Sequence, residues 1–437
     1  MQMLIRARTR IHLVPRDISA TDSPLAPSVV RRALKLSIAE GMFSTVHLTL
    51  TGGAFLTGFA LLLGAGNITL GIVAALPFLI QPLQLLGAWL IERQGARKPL
   101  AVVGTLGRTL WLILLLLPYL PLSATQRLSL LILILLVSNA LMAICANAWT
   151  NWMTDLVPPR LRGRYFSTRG TLAAAVAMVA NYGAGQWLDR MRAAGDVTNG
   201  YAILFAIGVV CATIGTLFLA RQPEPALPPV TRLRLTEVVR RPLRHHSFRQ
   251  FMLATMVWNV ALGVAVPFFS AHALTVLHLP FTQLAMFDVI TGAVSLLSLS
   301  LWGQLADRFG HRRIMLGCMA GVILLPWCWV FATPSSLWFL YLNAVISGIW
   351  WPGINLAQAN RLMEQAPVEA RGAYLASFAA CTGLAYFLAS TFGGGVADAL
   401  AGVHWALGGL SISNYQTLFI MSSLLRASTV IFWRRSL

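Results

Sequence analysis

Acidic residues are scarce: Asp and Glu together number 14 in 437 residues, and charged types of both signs make up only 11%. A soluble globular protein carries about 25% charged residues, so a water-soluble reading of a chain this large fails on composition. Cysteine is thin as well. The five present (Cys145, Cys211, Cys318, Cys328 and Cys381) all lie in or beside apolar runs. None has CxxC spacing and no histidine completes a ligand set, so they read as packing residues rather than disulfides or a metal site. A Walker lysine is missing, and the Gly-x-Gly runs at Gly64–Gly66 and Gly393–Gly395 fall at the ends of apolar runs without a Rossmann context. With no paired catalytic constellation either, no enzyme, cofactor or metal is expected. The first thirty-five residues are basic and lack the apolar core of a signal peptide, so the first hydrophobic helix is expected to act as the targeting signal.

What is abundant is hydrophobicity, at 57% of residues with a mean hydropathy of +0.70. A helix needs about 20 mostly apolar residues to cross a bilayer. Runs of that length fall at 39–64, 68–91, 99–119, 128–152, 167–188 and 200–220, then at 250–272, 281–304, 313–332, 335–358, 371–394 and 412–433. The runs 39–64, 167–188 and 371–394 are rich in Gly, Ala, Ser and Thr, as helices that pack closely on neighbours are. A Pro- and Arg-rich gap from Arg221 to Arg249, containing His245 and His246 as surface residues, separates six spans from six. The expected organisation is a basic cytoplasmic segment (1–36), a six-helix bundle (37–220), a cytoplasmic linker (221–248) and a second six-helix bundle (249–437). The segment from Asp398 to Ser413 is expected to be the largest feature on the opposite side, as a short surface helix.

The net charge of +19 raises a nucleic-acid partner, but the basic residues sit in short loops and at the ends. With both termini inside, 28 of the 33 Lys and Arg residues fall on the inner side and 3 on the outer; Arg108 and Arg426 fall within spans. That bias implies an N-in, C-in chain with an even number of spans, placed in a bacterial inner membrane. Its basic loops would contact anionic lipid headgroups rather than nucleic acid.

Two loops recur at matched places. GAWLIERQGARK (Gly87–Lys98) follows the second span and GQLADRFGHRR (Gly303–Arg313) the eighth. They align Gly87 with Gly303, Glu92-Arg93 with Asp307-Arg308, Gly95 with Gly310, and Arg97-Lys98 with Arg312-Arg313. After the fourth and tenth spans, NWMTDLVPPRLRGRYF (Asn151–Phe166) and NRLMEQAPVEARGAYL (Asn360–Leu375) align without a gap. The shared positions are Asn151/Asn360, Asp155/Glu364, Pro158/Pro367, Arg162-Gly163/Arg371-Gly372 and Tyr165/Tyr374. Matched loops in matched halves indicate a duplicated architecture.

The loops after spans two and eight resemble the G-x-L-A-D-R-x-G-R-R/K motif of the major facilitator superfamily. The copy at Gly303 is the better one; that at Gly87 has an extra residue before the acid and Glu92 in place of Asp. The stretch Trp149–Phe166 is similar to that of a bacterial branch of this superfamily. The resemblance implies an all-α membrane protein with twelve transmembrane helices in two pseudo-symmetric six-helix bundles. It also implies a monomeric secondary transporter of a small molecule. Residues implied to gate the cytoplasmic side are Glu92, Arg93, Arg97, Asp155, Arg162 and Arg164 in the first half, and Asp307, Arg308, Arg312, Glu364 and Arg371 in the second. Such contacts must be modest, since each state of a transporter has to be left as well as entered. As topology anchors, the same arginines would serve only the charge bias.

Ionisable residues within spans are costly and mark function by default. Glu40 stands near the expected start of the first helix, with His47 two turns on. Arg108 lies in the third span, Asp288 in the eighth and Arg426 in the twelfth. Glu40 and Asp288 are the candidates to carry a coupling proton, because burial favours the neutral form of a carboxyl group. Arg108 would hold an anionic substrate group or neutralise Glu40, whereas Arg426 reads as a snorkelling or packing charge. Asn147 and Asn151 share one helix face, as do Asn355 and Gln358. All four are cavity candidates, with Trp149, Trp152, Trp258, Trp350 and Trp351 as aromatic walls. The leading expectation is proton-coupled transport of an amphipathic solute, with export favoured. The alternative is a non-transporting receptor or assembly protein on the same fold.

Overall fold

A segment inside a bilayer has no water to satisfy its peptide groups, so each apolar run must close its own hydrogen bonds as a helix. The computed structural model bears this out and describes residues 26–94, 96–225, 241–367, 371–403, 405–407 and 410–436. Among the described residues, twelve helical rods follow one another. In the first half they are α1 (Pro27–Leu62), α2 (Asn67–Ile91), α3 (Lys98–Tyr119), α4 (Ala124–Leu156), α5 (Arg162–Ala193) and α6 (Val197–Ala220). In the second half they are α7 (His246–Thr275), α8 (Phe281–Phe309), α9 (His311–Phe331), α10 (Trp338–Gln365), α11 (Arg371–Ala399) and α12 (Asn414–Ser436). Among the described residues, nine of these are long and apolar enough to cross a membrane; α5, α10 and α12 are the others. Asn181 interrupts the middle of α5, and Asn343 lies in the second turn of α10. Large apolar side chains on outward faces, such as Leu388, Leu424 and Ile431, are exposed, a pattern that suits lipid rather than water.

Three expectations are corrected here. The first helix starts at Pro27, twelve residues before 39, with proline in its first turn where a missing N–H costs nothing. Val30, Ala33 and Leu34 are buried on one face while Arg32 and Lys35 are exposed on the other, so the basic stretch extends a helix and is not wholly a tail. Glu40 consequently lies mid-helix. Next, the first and seventh spans are not continuous. α1 stops at Leu50 and restarts at Gly53, whose φ of 52° needs glycine. α7 stops at Gly263 and restarts at Phe268, after Pro267. Finally, the outer segment is a hairpin, not a helix: strand β1 (Trp405–Leu407) pairs antiparallel with β2 (Leu410–Ile412), Leu407 opposite Leu410. The sequence signal was Gly408-Gly409, the residue type that a two-residue hairpin turn requires.

The halves meet along two seams, α2 against α11 and α5 against α8. Small residues make these approaches possible. A Cβ on Gly394 would lie 2.5 Å from the Asn67 carbonyl oxygen, and one on Gly185 2.9 Å from that of Phe281.

Candidate functional site

The breaks in α1 and α7 face each other across the middle of the molecule, where unwound backbone is tolerated because it lines a cavity. Cavities of about 470, 370 and 320 Å³ meet there, and Gly53 borders all three. The largest lies between the halves and is lined by His47, Arg108, Trp111, Asn139, Ser270 and Tyr386 among others. The second lies within the C-terminal half, against Asp288, Asn343, Trp351 and Arg426. The third is bordered by Thr49, Asn181 and again Asp288.

In the N-terminal half the buried charges are tied together. Glu40, Ser44 and His47 share one face of α1. Ser44 Oγ donates to Glu40 Oε1 (2.5 Å), and Arg108 Nη1 donates to Ser44 Oγ (2.7 Å). Arg169 Nη2 donates to Glu40 Oε2 at 2.8 Å, Arg169 Nε donates to the Ser37 carbonyl at 3.1 Å, and the guanidinium lies 4.4 Å over the Trp149 ring. Arg108 therefore reaches Glu40 only through a hydroxyl, and the direct counter-ion is Arg169. His47 Nδ1 lies 3.1 Å from the Gly208 carbonyl of α6, its ring edge-on to Trp111.

The C-terminal half is different. Asp288 is exposed to the cleft, borders two cavities and, among the described residues, accepts one hydrogen bond, from Asn181 Nδ2 of the other half at 3.0 Å. Arg426 is 1% exposed, which rules out snorkelling: α12 turns it inward against α9, where Nη1 donates to the Val322 carbonyl at 3.0 Å. Of the five tryptophans, Trp351 lines a cavity; Trp152 and Trp258 are buried packing residues, Trp149 stacks on Arg169, and Trp350 packs on Trp302.

The basic loops at one end of the bundle also diverge between halves. Arg97, 1% exposed, pairs with Asp155 and Glu224, and donates to the carbonyls of Asn151 (3.3 Å) and Pro225 (2.9 Å). Arg162 closes the end of α4 by donating to the carbonyls of Thr154 and Val157. Arg93 and Arg164 are exposed; the Glu92 side chain and Gly95 lie outside the described residues. In the second half, Glu364 is exposed and meets His311 and Arg361 only at 3.6 Å each. Asp307, Arg308 and Arg371 are exposed and Arg312 is half-buried, with no ion pair among the described residues. Sequence reasoning missed Glu224, hidden in a gap read as basic, and Arg169, read as an anchor.

The opposite, far end is closed by a symmetric pair of caps. Asp189, at the end of α5, accepts from the backbone N–H groups of Phe281 and Thr282 at the start of α8, both at 2.8 Å. Asp398, at the end of α11, accepts from those of Asn67 and Ile68 at the start of α2, both at 3.2 Å, and from Asn67 Nδ2 at 2.7 Å. A carboxylate at a helix N-terminus meets both free N–H donors and the positive end of the macrodipole. Among the described residues, the hydrogen bonds joining the halves lie at these caps, between Tyr415 and Asn67, between Ser390 and Gly71, and at Asn181–Asp288. Toward the basic end the halves stand apart. A Cβ on Gly163, Gly170, Gly303 or Gly372 would meet no atom within 4 Å, and Asn151 and Asn355 are exposed, with Asn147 and Gln358 half-buried. None of these four side chains lines the central cavities.

A family model described as Major Facilitator Superfamily matches residues 41–389 and 251–433. Among solved structures the chain is similar to the nucleoside transporter NupG (13% identity, 93% of this chain and 98% of that one, TM-score 0.66). It is also similar to a D-xylose–proton symporter (16%, 93% and 97%, 0.67). A third is a bacterial homolog of the human lysosomal transporter Spinster in an inward-facing, unoccupied conformation (14%, 93% and 94%, 0.60). No curated relative matches the chain.

Proposed function

Since the chain belongs to the Major Facilitator Superfamily, we propose that this transporter couples movement of an amphipathic small molecule to a proton carried by Asp288. The charge bias of the loops supports placing the basic end in the cytoplasm of a bacterial cell, so the described conformation reads as inward-facing. The observation that carries the proton assignment is the contrast between the two acids within the spans. Glu40 is held by Arg169 and Ser44, whereas Asp288 faces the cleft with a neutral amide as partner. A carboxyl group that can give up its proton to the cleft, next to the seam that must open, can bias one state over the other. Export is the direction that suits an aromatic and apolar lining.

The test needs no substrate. Spin labels placed across the far end and across the basic end report the two openings in the reconstituted protein. Moving from mildly alkaline to mildly acidic buffer is expected to shift the distance populations in the wild type and to leave Asp288→Asn unmoved. A pH response unchanged in Asp288→Asn removes the proton assignment.

A further inference from the structure

The geometry points to the cavity beside Asp288 as the binding site for an organic carboxylate, with Arg426 as the residue that grips its anionic group. The inference rests on the transport reading and names the substrate class of that site. Two orphaned polar atoms carry it. Arg426 Nε is buried without a hydrogen-bond partner, and no ion pair engages the guanidinium among the described residues. Asn343 Oδ1 is likewise buried without a partner. Both residues line the same cavity of about 370 Å³.

Arg426 is positioned rather than neutralised. The α9 helix tightens into a 3-10 turn at Val322–Leu324. The Val322 carbonyl of that turn accepts from Arg426, while the neighbouring Ile323 carbonyl accepts from Ser423 Oγ at 2.8 Å. A carbonyl dipole orients a guanidinium but supplies no counter-charge, and a buried cation without one costs several kcal/mol. A ligand carboxylate would meet that need, in the planar fork that arginine presents. Asn343 Oδ1, an acceptor, calls for a hydroxyl or N–H donor on the same ligand. Phe269, Phe287, Trp329 and Trp351 form the apolar walls. At the ~30 Å³ a water occupies in the liquid, the space holds roughly a dozen heavy atoms. The occupant is therefore a compact aromatic or branched hydroxy- or amino-carboxylate. Asp288 borders the same cavity, so its ionised form opposes the ligand's charge and its protonated form does not.

The probes are mandelate and phenyllactate, each compared with its primary amide. Thermal stabilisation of the full chain in detergent is measured at one pH and without a gradient. The acids are expected to raise the melting temperature and the amides not. Arg426→Gln should weaken the acids by about tenfold or more, and Asn343→Ala by a few-fold. Asp288→Asn should tighten them, an effect that a merely structural arginine would not produce. If Arg426→Gln does not fold, Arg426→Lys, which keeps the charge and loses the fork, carries the same expectation of weaker binding. Stabilisation equal for acids and amides, absent for both, or untouched by the Arg426 and Asp288 variants overturns the assignment. Because no pH change is involved, failure here leaves the spin-label result intact, and the reverse also holds.

Discussion

The two halves repeat one loop-and-helix plan, yet they treat their charged residues in opposite ways. In the first half, Arg108, Ser44, Glu40 and Arg169 form one connected set, and Arg97 is held by two carboxylates and two carbonyls. In the second, Asp288 and Arg426 share a cavity without pairing, and Glu364 meets Arg361 and His311 at 3.6 Å while lying exposed. A charge with all its partners inside the fold is a brace. A charge left short of partners can take a proton or a ligand. On the proposed mechanism, scaffolding falls to the first half and exchange to the second, although the loop motif is the better preserved in the second.

The comparison breaks first at Arg169. Its replacement by Leu leaves Glu40, 4% exposed, as an uncompensated buried charge. Removal of one partner from a buried pair costs roughly 3–5 kcal/mol, so a large fall in melting temperature is expected. Adding Glu40→Gln should restore most of it; no restoration would mean that Arg169 acts through its stacking on Trp149 rather than through the ion pair.

A smaller effect is expected at the far end, where the halves behave alike. Asp189→Asn and Asp398→Asn each weaken a helix cap worth about 1 kcal/mol. Combined, they should shift the far-end spin-label distances toward the open population by more than either does alone. Equal shifts from the two singles would support the symmetry of the caps, and no shift from the double would deny them a gating role.

The smallest effect separates the matched acids of the basic loops. Asp155→Asn takes one carboxylate from buried Arg97; with Glu224 still present and Asp155 37% exposed, a loss of about 1 kcal/mol is expected. Glu364→Gln removes exposed contacts and should change stability by no more than about 0.5 kcal/mol. Equal losses, measured as melting temperatures side by side, would erase the distinction between the loops.

Twelve spans, their grouping in sixes and the repeated loops were legible in the sequence, because hydropathy and loop charge are local properties that a bilayer reads residue by residue. The breaks in α1 and α7 carried a local signal too, Gly52-Gly53 and Pro267, but apolar residues on both sides masked it. Pairing was not legible. Arg169 sits in a basic stretch and looks like an anchor until α5 is laid against α1; Arg426 looks like a snorkelling side chain until α12 turns it toward α9.

The sequence by itself determined that the chain crosses a membrane many times, in two related halves, with its basic loops on one side. Only the tertiary structure decided which buried charges are satisfied and which are left open. Whether a guanidinium finds a carboxylate depends on helix rotation and packing between segments more than a hundred residues apart, and no local pattern encodes that.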